Sequence, residues 1–202
     1  MTSLLQSAVQ NIGPDSVYSG LTVAERIVID YAWEVLARPE QIPPEGDWSY
    51  WLYLAGRGSG KTRSGAEWVR KQAETPGQRI ALVGPTAADT RDVMIEGDSG
   101  IMNVCPPWDR PEYEPSKRRV TWPNGSQAIA YSADVPDRLR GPQHSAAWCD
   151  ELAAWSRPEA YDMMLMGLRL GKHPQAVITT TPRPTKIIKE LISNPDTVIS
   201  RG

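Results

Sequence analysis

The sequence predicts an α/β domain in which helices flank a mostly parallel sheet. Apolar, strand-like runs alternate with helical segments along most of the chain. A glycine-rich loop joins one strand to a helix, and an Asp-Glu pair closes a later strand. The 202 residues, of which 40% are apolar, are enough for one domain with a full core.

The first 45 residues have the pattern of a helical lead-in segment. Thr22-Val23-Ala24-Glu25 has the form of a capping box, and apolar residues recur after it with helical spacing as far as Leu36. Pro39 ends this helix, and a connector containing Pro and Gly follows. We therefore expect a lead-in over residues 1–45 and a core over residues 46–202.

The core elements follow in alternation. A strand at 51–54 precedes the glycine-rich loop, and a helix is expected from about 61 to 73. The turn pair Asn124-Gly125 between two β-prone runs indicates a hairpin. The other predicted strands are 79–83, 145–150, 176–181 and a run from 197, and the other predicted helices open near Pro158 and span 185–192.

Charge and cysteine content narrow the class of protein. Net charge is −2, so a DNA-binding patch would have to be local. Cys105 and Cys149 have no metal-ligand spacing, and Cys149 lies in an apolar run typical of a core. No charged segment typical of a signal peptide precedes Arg26, and no apolar run reaches the roughly 20 residues of a membrane helix. We expect a soluble protein of a reducing compartment.

The strongest motif is Gly56-Arg57-Gly58-Ser59-Gly60-Lys61-Thr62, here called the phosphate loop. Glycines let the backbone turn its N–H groups onto phosphate oxygens, and the next helix adds the positive end of its dipole. Lys61 supplies a charge for the β- and γ-phosphates, and the Thr62 hydroxyl can bind Mg²⁺. The motif departs from the usual pattern, because Ala55 stands where a glycine is expected. A plain glycine-rich turn is the alternative.

The second motif is Cys149-Asp150-Glu151, at the end of the strand predicted over 145–150. A carboxylate at a strand end can hold Mg²⁺, and the next acid can polarise an attacking water as general base. Asp-Glu pairs are common, so a surface acidic pair is the alternative. The strand context and the position 89 residues after Lys61 favour the catalytic interpretation.

Two further segments leave alternatives open. The run Thr179-Thr180-Thr181-Pro182 is either a β-prone segment leaving the sheet or a set of hydroxyls that sense the γ-phosphate. Arg140 precedes Gly141-Pro142, which suits a mobile loop that brings a cation to a transferring phosphoryl group. An exposed ion pair with Asp134 or Asp137 is the alternative that the sequence favours.

Together these motifs resemble the large terminase subunit of tailed bacteriophages. The similarity extends from about residue 20 to the end, and it implies a P-loop NTPase of RecA-like (ASCE) fold with Glu151 on the strand beside the phosphate loop. The segments that carry it, in order, are Gly46-Asp47-Trp48, residues 51–68 with the phosphate loop, Leu139-Arg140-Gly141-Pro142, Cys149-Asp150-Glu151-Leu152 and Thr179-Thr180-Thr181-Pro182-Arg183.

The resemblance also assigns roles to residues. Arg57 matches an arginine inside the phosphate loop of such terminases, Arg140 their arginine finger, and Gln41 an adenine-contacting glutamine. The implied catalytic residues are Glu151, Arg140 and Lys61; the ATP-binding residues are Gln41 and Gly56, Arg57, Gly58, Ser59, Gly60, Lys61 and Thr62; the metal ligands are Thr62 and Asp150; and the residues coupling hydrolysis to domain movement are Thr179, Thr180 and Thr181.

The implied function is hydrolysis of ATP, with Mg²⁺, to drive double-stranded viral DNA into a procapsid. The implied partners are the DNA, the portal protein and the small terminase subunit, in a homo-oligomeric ring in the cytoplasm of the infected bacterium; an isolated domain could be a monomer. The family carries a C-terminal nuclease domain of RNase H type, whose acidic cluster is absent here. We therefore expect a fragment without nuclease activity.

Two other functions share some of these features. A helicase-like, nucleic-acid-stimulated ATPase would have the same phosphate loop and acidic pair, although the second RecA-like domain that would favour it is not seen. A catalytically silent nucleotide-binding adaptor is the third possibility. The presence of Lys61, Thr62, Asp150 and Glu151 together argues against it, because an adaptor need not keep all four.

Overall fold

The computed structural model describes residues 20–202. The chain forms two compact units, Met1–Ile42 and Pro43–Gly202. The domain boundary expected at residue 45 stays a prediction. No helix among residues 20–202 is long and apolar enough to cross a membrane.

Within residues 20–42, the described part of the first unit, the chain forms two short helices, α1 (Val23–Asp30) and α2 (Trp33–Leu36), followed by a 3₁₀ turn at Pro39–Gln41. Thr22 caps α1 through the predicted capping box with Glu25. The sequence suggested one helix as far as Leu36. The chain instead leaves the helical region at Ala32, where ψ is 74°, and so starts a second helix.

The second unit is built on one sheet of eight strands. Their order across the sheet is β3-β4-β5-β2-β6-β7-β1-β8, and all neighbours are parallel except β3–β4 and β4–β5. This confirms the predicted α/β class with a mostly parallel sheet. In chain order the strands are β1 (Tyr50–Leu54), β2 (Arg79–Gly84), β3 (Glu112–Glu114), β4 (Arg119–Thr121), β5 (Gln127–Ser132), β6 (Ala146–Asp150), β7 (Gln175–Thr180) and β8 (Thr197–Arg201).

Helices cover both faces of this sheet. The helices are α3 (Lys61–Ala73), α4 (Ala87–Asp89), α5 (Ile101–Val104), α6 (Glu159–Gly167) and α7 (Lys186–Ser193), with a π-helix at Thr90–Ile95 and 3₁₀ turns at Pro107–Asp109, Pro115–Lys117, Pro136–Leu139 and Leu152–Ala154. Residues of α3 and α5 pack in one apolar cluster, and residues of α6 and α7 pack in the other.

The strand β1 shows why helices must bury both faces of the sheet. Trp51 and Tyr53 enter the cluster on one face, and Leu52 and Leu54 enter the cluster on the opposite face. Successive side chains of a strand point to opposite sides, so a strand that is apolar throughout must be buried on both faces of the sheet. The parallel strands therefore lie in the interior, and their carboxyl ends meet at one edge of the sheet.

The predicted position of the acidic pair needs correction. Asp150 ends β6, and Glu151 lies one residue beyond that strand. The strand β7 lies between β6 and β1, so β6 is not the neighbour of the strand that leads into the phosphate loop. The acids reach the loop because parallel strands end at the same edge, even when another strand separates them.

Candidate active site

The phosphate loop joins the carboxyl end of β1 to the first residue of α3. Gly58 and Gly60 have φ angles of 75° and 78°, a left-handed conformation that glycine adopts without strain. The Ser59 hydroxyl donates to the Gly56 carbonyl (2.8 Å), and the Tyr53 hydroxyl donates to the Ser59 carbonyl (3.1 Å). The loop is thus held in shape by its own residues and by β1.

Lys61 opens α3 and turns its side chain back into the loop. Its Nζ donates to the carbonyls of Ala55 (3.0 Å) and Gly56 (2.8 Å), and only 7% of the residue is exposed. The same nitrogen lies 3.4 Å from Oε1 of Glu151. The loop cation and the acid therefore meet across the edge of the sheet.

Asp150 is a buried carboxylate at the end of β6. It stands opposite Thr179 in the β6–β7 register, and the Thr179 hydroxyl donates to its Oδ1 (2.6 Å). Burial raises the pKa of Asp150 to about 6, against the opposing effects of the Thr179 hydrogen bond and of Lys61. A cation bound here would favour the ionised form, as expected of a metal ligand.

Glu151 has a left-handed backbone, with φ of 48°. Its N–H donates to the Thr179 carbonyl, and its carboxylate accepts from the N–H (3.2 Å) and the hydroxyl (3.1 Å) of Thr181. About a third of its side chain is exposed. An acid that is anchored on one side and open to solvent on the other can accept a proton from a water molecule.

The threonine run at the end of β7 contacts the acidic segment with all three hydroxyls. Thr179 bonds Asp150, the Thr180 hydroxyl accepts from the N–H of Ala153 (3.0 Å), and Thr181 bonds Glu151. The run therefore lies beside the acidic pair, and the hydroxyls of Thr179 and Thr181 contact the two acids.

A cavity of about 710 Å³ opens above the phosphate loop. Its walls are residues Arg57 to Arg63 of the loop and α3, Glu151, and a segment between β2 and β3 that contributes Asp92, Val93, Gly97, Asp98 and Ser99. Sequence reasoning missed this last segment and Arg63. Its position in the sequence could have indicated this segment, because it follows the carboxyl end of β2, at the same edge of the sheet as the phosphate loop.

Arg140 lies outside this cavity. It follows the 3₁₀ turn at Pro136–Leu139, and its Nε lies 3.2 Å from Oδ1 of Asp137, with 65% of the Arg140 side chain exposed. This is the ion pair that the sequence favoured. Gln41 belongs to the first unit, where its Oε1 accepts from the Arg38 N–H (2.9 Å), so its contact with adenine stays a prediction.

The residues fit a nucleotide bound with Mg²⁺. A Cβ placed at Gly56 or Gly58 would meet no atom within 4 Å, so there is open space beside the loop backbone at both positions. Among residues 20–202 no three His, Cys, Asp or Glu side chains form a metal cluster. Mg²⁺ typically takes one or two protein ligands and completes its shell with phosphate oxygens and water. The two ligands predicted from the sequence, Thr62 and Asp150, would be enough in number.

Comparison with solved structures finds the same fold in phage proteins. The ATPase domain of the Thermus phage P74-26 large terminase is 17% identical with a TM-score of 0.57, and the match covers 78% of this chain and 76% of that domain. The large terminase of a thermophilic bacteriophage, in complex with ATP-γ-S, is 14% identical (TM-score 0.61), with 87% of this chain and 43% of that chain covered. The HK97 bacteriophage large terminase is 16% identical (TM-score 0.61), with 90% and 39% covered.

Comparison with curated proteins gives no match. The family model described as terminase large subunit, T4likevirus-type, N-terminal, matches residues 52–197, more than two thirds of the chain. That span includes the phosphate loop, the acidic pair and the threonine run. The predicted resemblance is confirmed, and the chain belongs to the terminase large subunit family, in its N-terminal, ATPase-fold part.

Proposed function

We propose that this chain binds ATP with Mg²⁺ in the cavity above the phosphate loop and hydrolyses it to drive double-stranded viral DNA into a procapsid. One observation carries the chemical part. The Glu151 carboxylate is held between Lys61 and Thr181, next to the buried Asp150 and at the wall of the cavity. A base, a phosphate-binding cation and a metal ligand thus share one edge of the sheet.

Each group has a defined task in this proposal. The loop N–H groups and Lys61 hold the β- and γ-phosphates, and Thr62 and Asp150 hold the metal ion. Bound Mg²⁺ supplies charge neutralisation on the phosphate oxygens. Glu151 orients a water molecule and accepts its proton. Arg57 lines the cavity and adds positive charge near the phosphates.

The threonine run would couple hydrolysis to movement. A carboxylate accepts stronger hydrogen bonds than a protonated acid does. When Glu151 takes up a proton, its bonds from the Thr181 N–H and hydroxyl weaken, and the change reaches β7 directly. Thr179 and Thr180 would carry it along the same strand through Asp150 and Ala153.

Family membership supports the assignment to packaging and disfavours the helicase alternative. This chain covers 43% of the thermophilic bacteriophage protein and 39% of the HK97 protein, so the packaging activity of a whole large terminase is part of the proposal. We also propose double-stranded DNA, portal protein and small terminase subunit as partners, in a ring of copies in the host cytoplasm. The complexes of the thermophilic bacteriophage protein with ATP-γ-S and ADP support nucleotide binding by this fold.

The test is phosphate release from ATP by the unaltered protein and by Glu151→Gln. The amide keeps the size of the side chain but cannot accept the proton, so we expect ATP binding to persist and most turnover to be lost. Glu159→Gln is the matched control, because that glutamate, the first residue of α6, is exposed and pairs with Arg157. Near-normal hydrolysis by Glu151→Gln would remove the assigned base, and no ATP binding by the unaltered protein would remove the proposed function.

A further inference from the structure

Trp148 lies within β6, two residues before Asp150, and it is fully buried. One edge of its indole is seated against α3 at Gly65. A Cβ built at Gly65 would overlap the six-membered ring and Nε1 of that indole. Only a glycine therefore lets the indole approach the helix so closely, and Trp148 contacts the helix that begins with Lys61 and Thr62.

The indole also reaches the neighbouring strand. Its Nε1 donates to the Thr179 hydroxyl (2.8 Å), and that hydroxyl lies 2.6 Å from Oδ1 of Asp150. An indole N–H is a donor only, so the Thr179 oxygen must accept from it. The single hydroxyl proton is then available to Asp150, since the other acceptor in reach, the Cys149 carbonyl, is at 3.5 Å. Trp148 thus fixes which way Thr179 donates.

The consequence concerns Asp150, which is only 5% exposed. A buried carboxylate keeps one orientation only when its partners are themselves fixed, and a chain of hydrogen bonds strengthens each member. One side chain therefore contacts both α3, which carries Thr62, and the hydroxyl that orients Asp150. Thr62 and Asp150 are the two side chains to which the proposed function assigns Mg²⁺.

We propose that Trp148 is a positioning residue for the Mg²⁺–nucleotide complex. It acts through the Thr179 hydroxyl to hold Asp150 ready for the cation, and through Gly65 it fixes the spacing between β6 and α3. This inference rests on the proposed function.

The test measures the affinity for the non-hydrolysable analogue AMP-PNP by calorimetry, in EDTA and over a Mg²⁺ series. Trp148→Phe keeps a buried ring and removes the donor. Loss of an outer hydrogen-bond partner of a metal ligand typically costs about 10–100-fold in metal affinity. Trp148 contacts the partner of the metal ligand and not the ligand itself. For Trp148→Phe we therefore expect about a 10-fold rise in the Mg²⁺ concentration that gives half of the gain in AMP-PNP affinity. In EDTA, the AMP-PNP affinity of the variant should stay within about two-fold of that of the unaltered protein.

Trp51→Phe is the matched control. Trp51 is equally buried on the same face of the sheet, and its Nε1 donates to the Ser200 hydroxyl (3.0 Å), which has no contact with Asp150. This variant should lose similar stability and keep the Mg²⁺ dependence of the unaltered protein. An equal Mg²⁺ shift in both tryptophan variants, or none in Trp148→Phe, would overturn the proposal.

Thr179→Val gives a second route to the same answer if Trp148→Phe does not fold. It removes the hydroxyl while Trp148 stays, so the Mg²⁺ shift should be at least as large as that of Trp148→Phe. In the double variant the shift should not exceed that of Thr179→Val alone, because both changes break one chain of hydrogen bonds. If the AMP-PNP affinity of Thr179→Val depends on Mg²⁺ as that of the unaltered protein does, the inference is wrong. If the AMP-PNP affinity of the unaltered protein did not depend on Mg²⁺, the proposed function itself would be contradicted.

Discussion

The Nζ of Lys61 lies 3.4 Å from Oε1 of Glu151, so the cation of the phosphate loop and the proposed base form an ion pair. A phosphate that enters the loop competes for this cation with the carboxylate and with the carbonyls of Ala55 and Gly56. Phosphate binding would therefore free Glu151 on its loop side while Thr181 still holds it on the other.

Removing the cation should weaken nucleotide binding. Lys61→Met keeps the length of the side chain and loses the charge, and a hydrogen bond to a charged group contributes about 1.5–3 kcal/mol, so we expect roughly 10–100-fold weaker binding of ATP. Calorimetric titration measures it. Lys71→Met on the same helix is the control, since Lys71 is exposed and pairs with Glu74. Equal affinities for the two variants would mean that Lys61 does not contact the phosphates.

Arg140 is expected to act on the cavity of a neighbouring copy. It lies outside the cavity of its own chain and is exposed. An arginine of this kind contributes roughly 10³–10⁵ in rate in comparable systems. Arg140→Ala and Glu151→Gln should each be inactive alone, and a mixture should recover phosphate release at interfaces that combine an intact Glu151 with an intact Arg140. No recovery in mixtures that co-assemble would favour the exposed ion pair with Asp137.

His144 should make the fold less stable in acid. It is buried against Tyr131, and burial lowers its pKa from 6.5 to about 4. The folded state therefore resists protonation. The contribution of His144 to stability is complete above pH 6.5 and is lost as the pH falls toward 4, by about 3 kcal/mol for a shift of this size.

The measurement is the free energy of unfolding in urea across that pH range. His144→Phe keeps a ring at this position and removes the titrating group, so its stability should fall less between pH 6.5 and pH 4 than that of the unaltered protein. His173→Gln is the control, because His173 is exposed and pairs with Asp47. Its free energy of unfolding should fall between pH 6.5 and pH 4 by as much as that of the unaltered protein. Parallel curves for His144→Phe and the unaltered protein would contradict the prediction.

Gly65→Ala should destabilise the fold although alanine favours helices. The helical preference for alanine over glycine is about 1 kcal/mol, whereas forcing a methyl group into a packed contact costs about 1–3 kcal/mol. Because the new Cβ would overlap the rigid Trp148 indole, we expect a net loss, seen as a lower urea midpoint. Lys71→Ala on the exposed side of α3 should change stability by no more than about 0.5 kcal/mol. A gain in stability for Gly65→Ala would show that α3 moves away from β6.

The phosphate loop and α3 could be predicted from the sequence because their signals are local. Glycines mark the left-handed positions at Gly58 and Gly60, and the predicted helix bounds match α3. The strand β6 is different, since Ala146, Ala147 and Cys149 have little intrinsic preference for strands. It forms because β2 and β7 flank it, a tertiary effect that only the alternation of elements indicated.

The rest of the site depends on long-range contacts. Asp92 and Asp98 reach the cavity through a π-helix and a turn that carry no periodic pattern, so nothing local marked them. The hydrogen bond between Trp148 and Thr179 joins residues of two strands that are 31 positions apart in the sequence. The sequence also could not decide whether Arg140 faces its own cavity, because the turn at Pro136–Leu139 that precedes Arg140 is placed by packing against α6.

The left-handed backbone of Glu151 sets a limit on engineering this domain for heat resistance. A residue other than glycine costs about 1–2 kcal/mol in that conformation, and glycine relieves it at once. Libraries selected only for stability at high temperature should therefore enrich glycine at Arg118 and at Glu151, and the second change removes the proposed base. Any such selection needs a turnover screen in every round, because one of the changes that relieve backbone strain removes the proposed base.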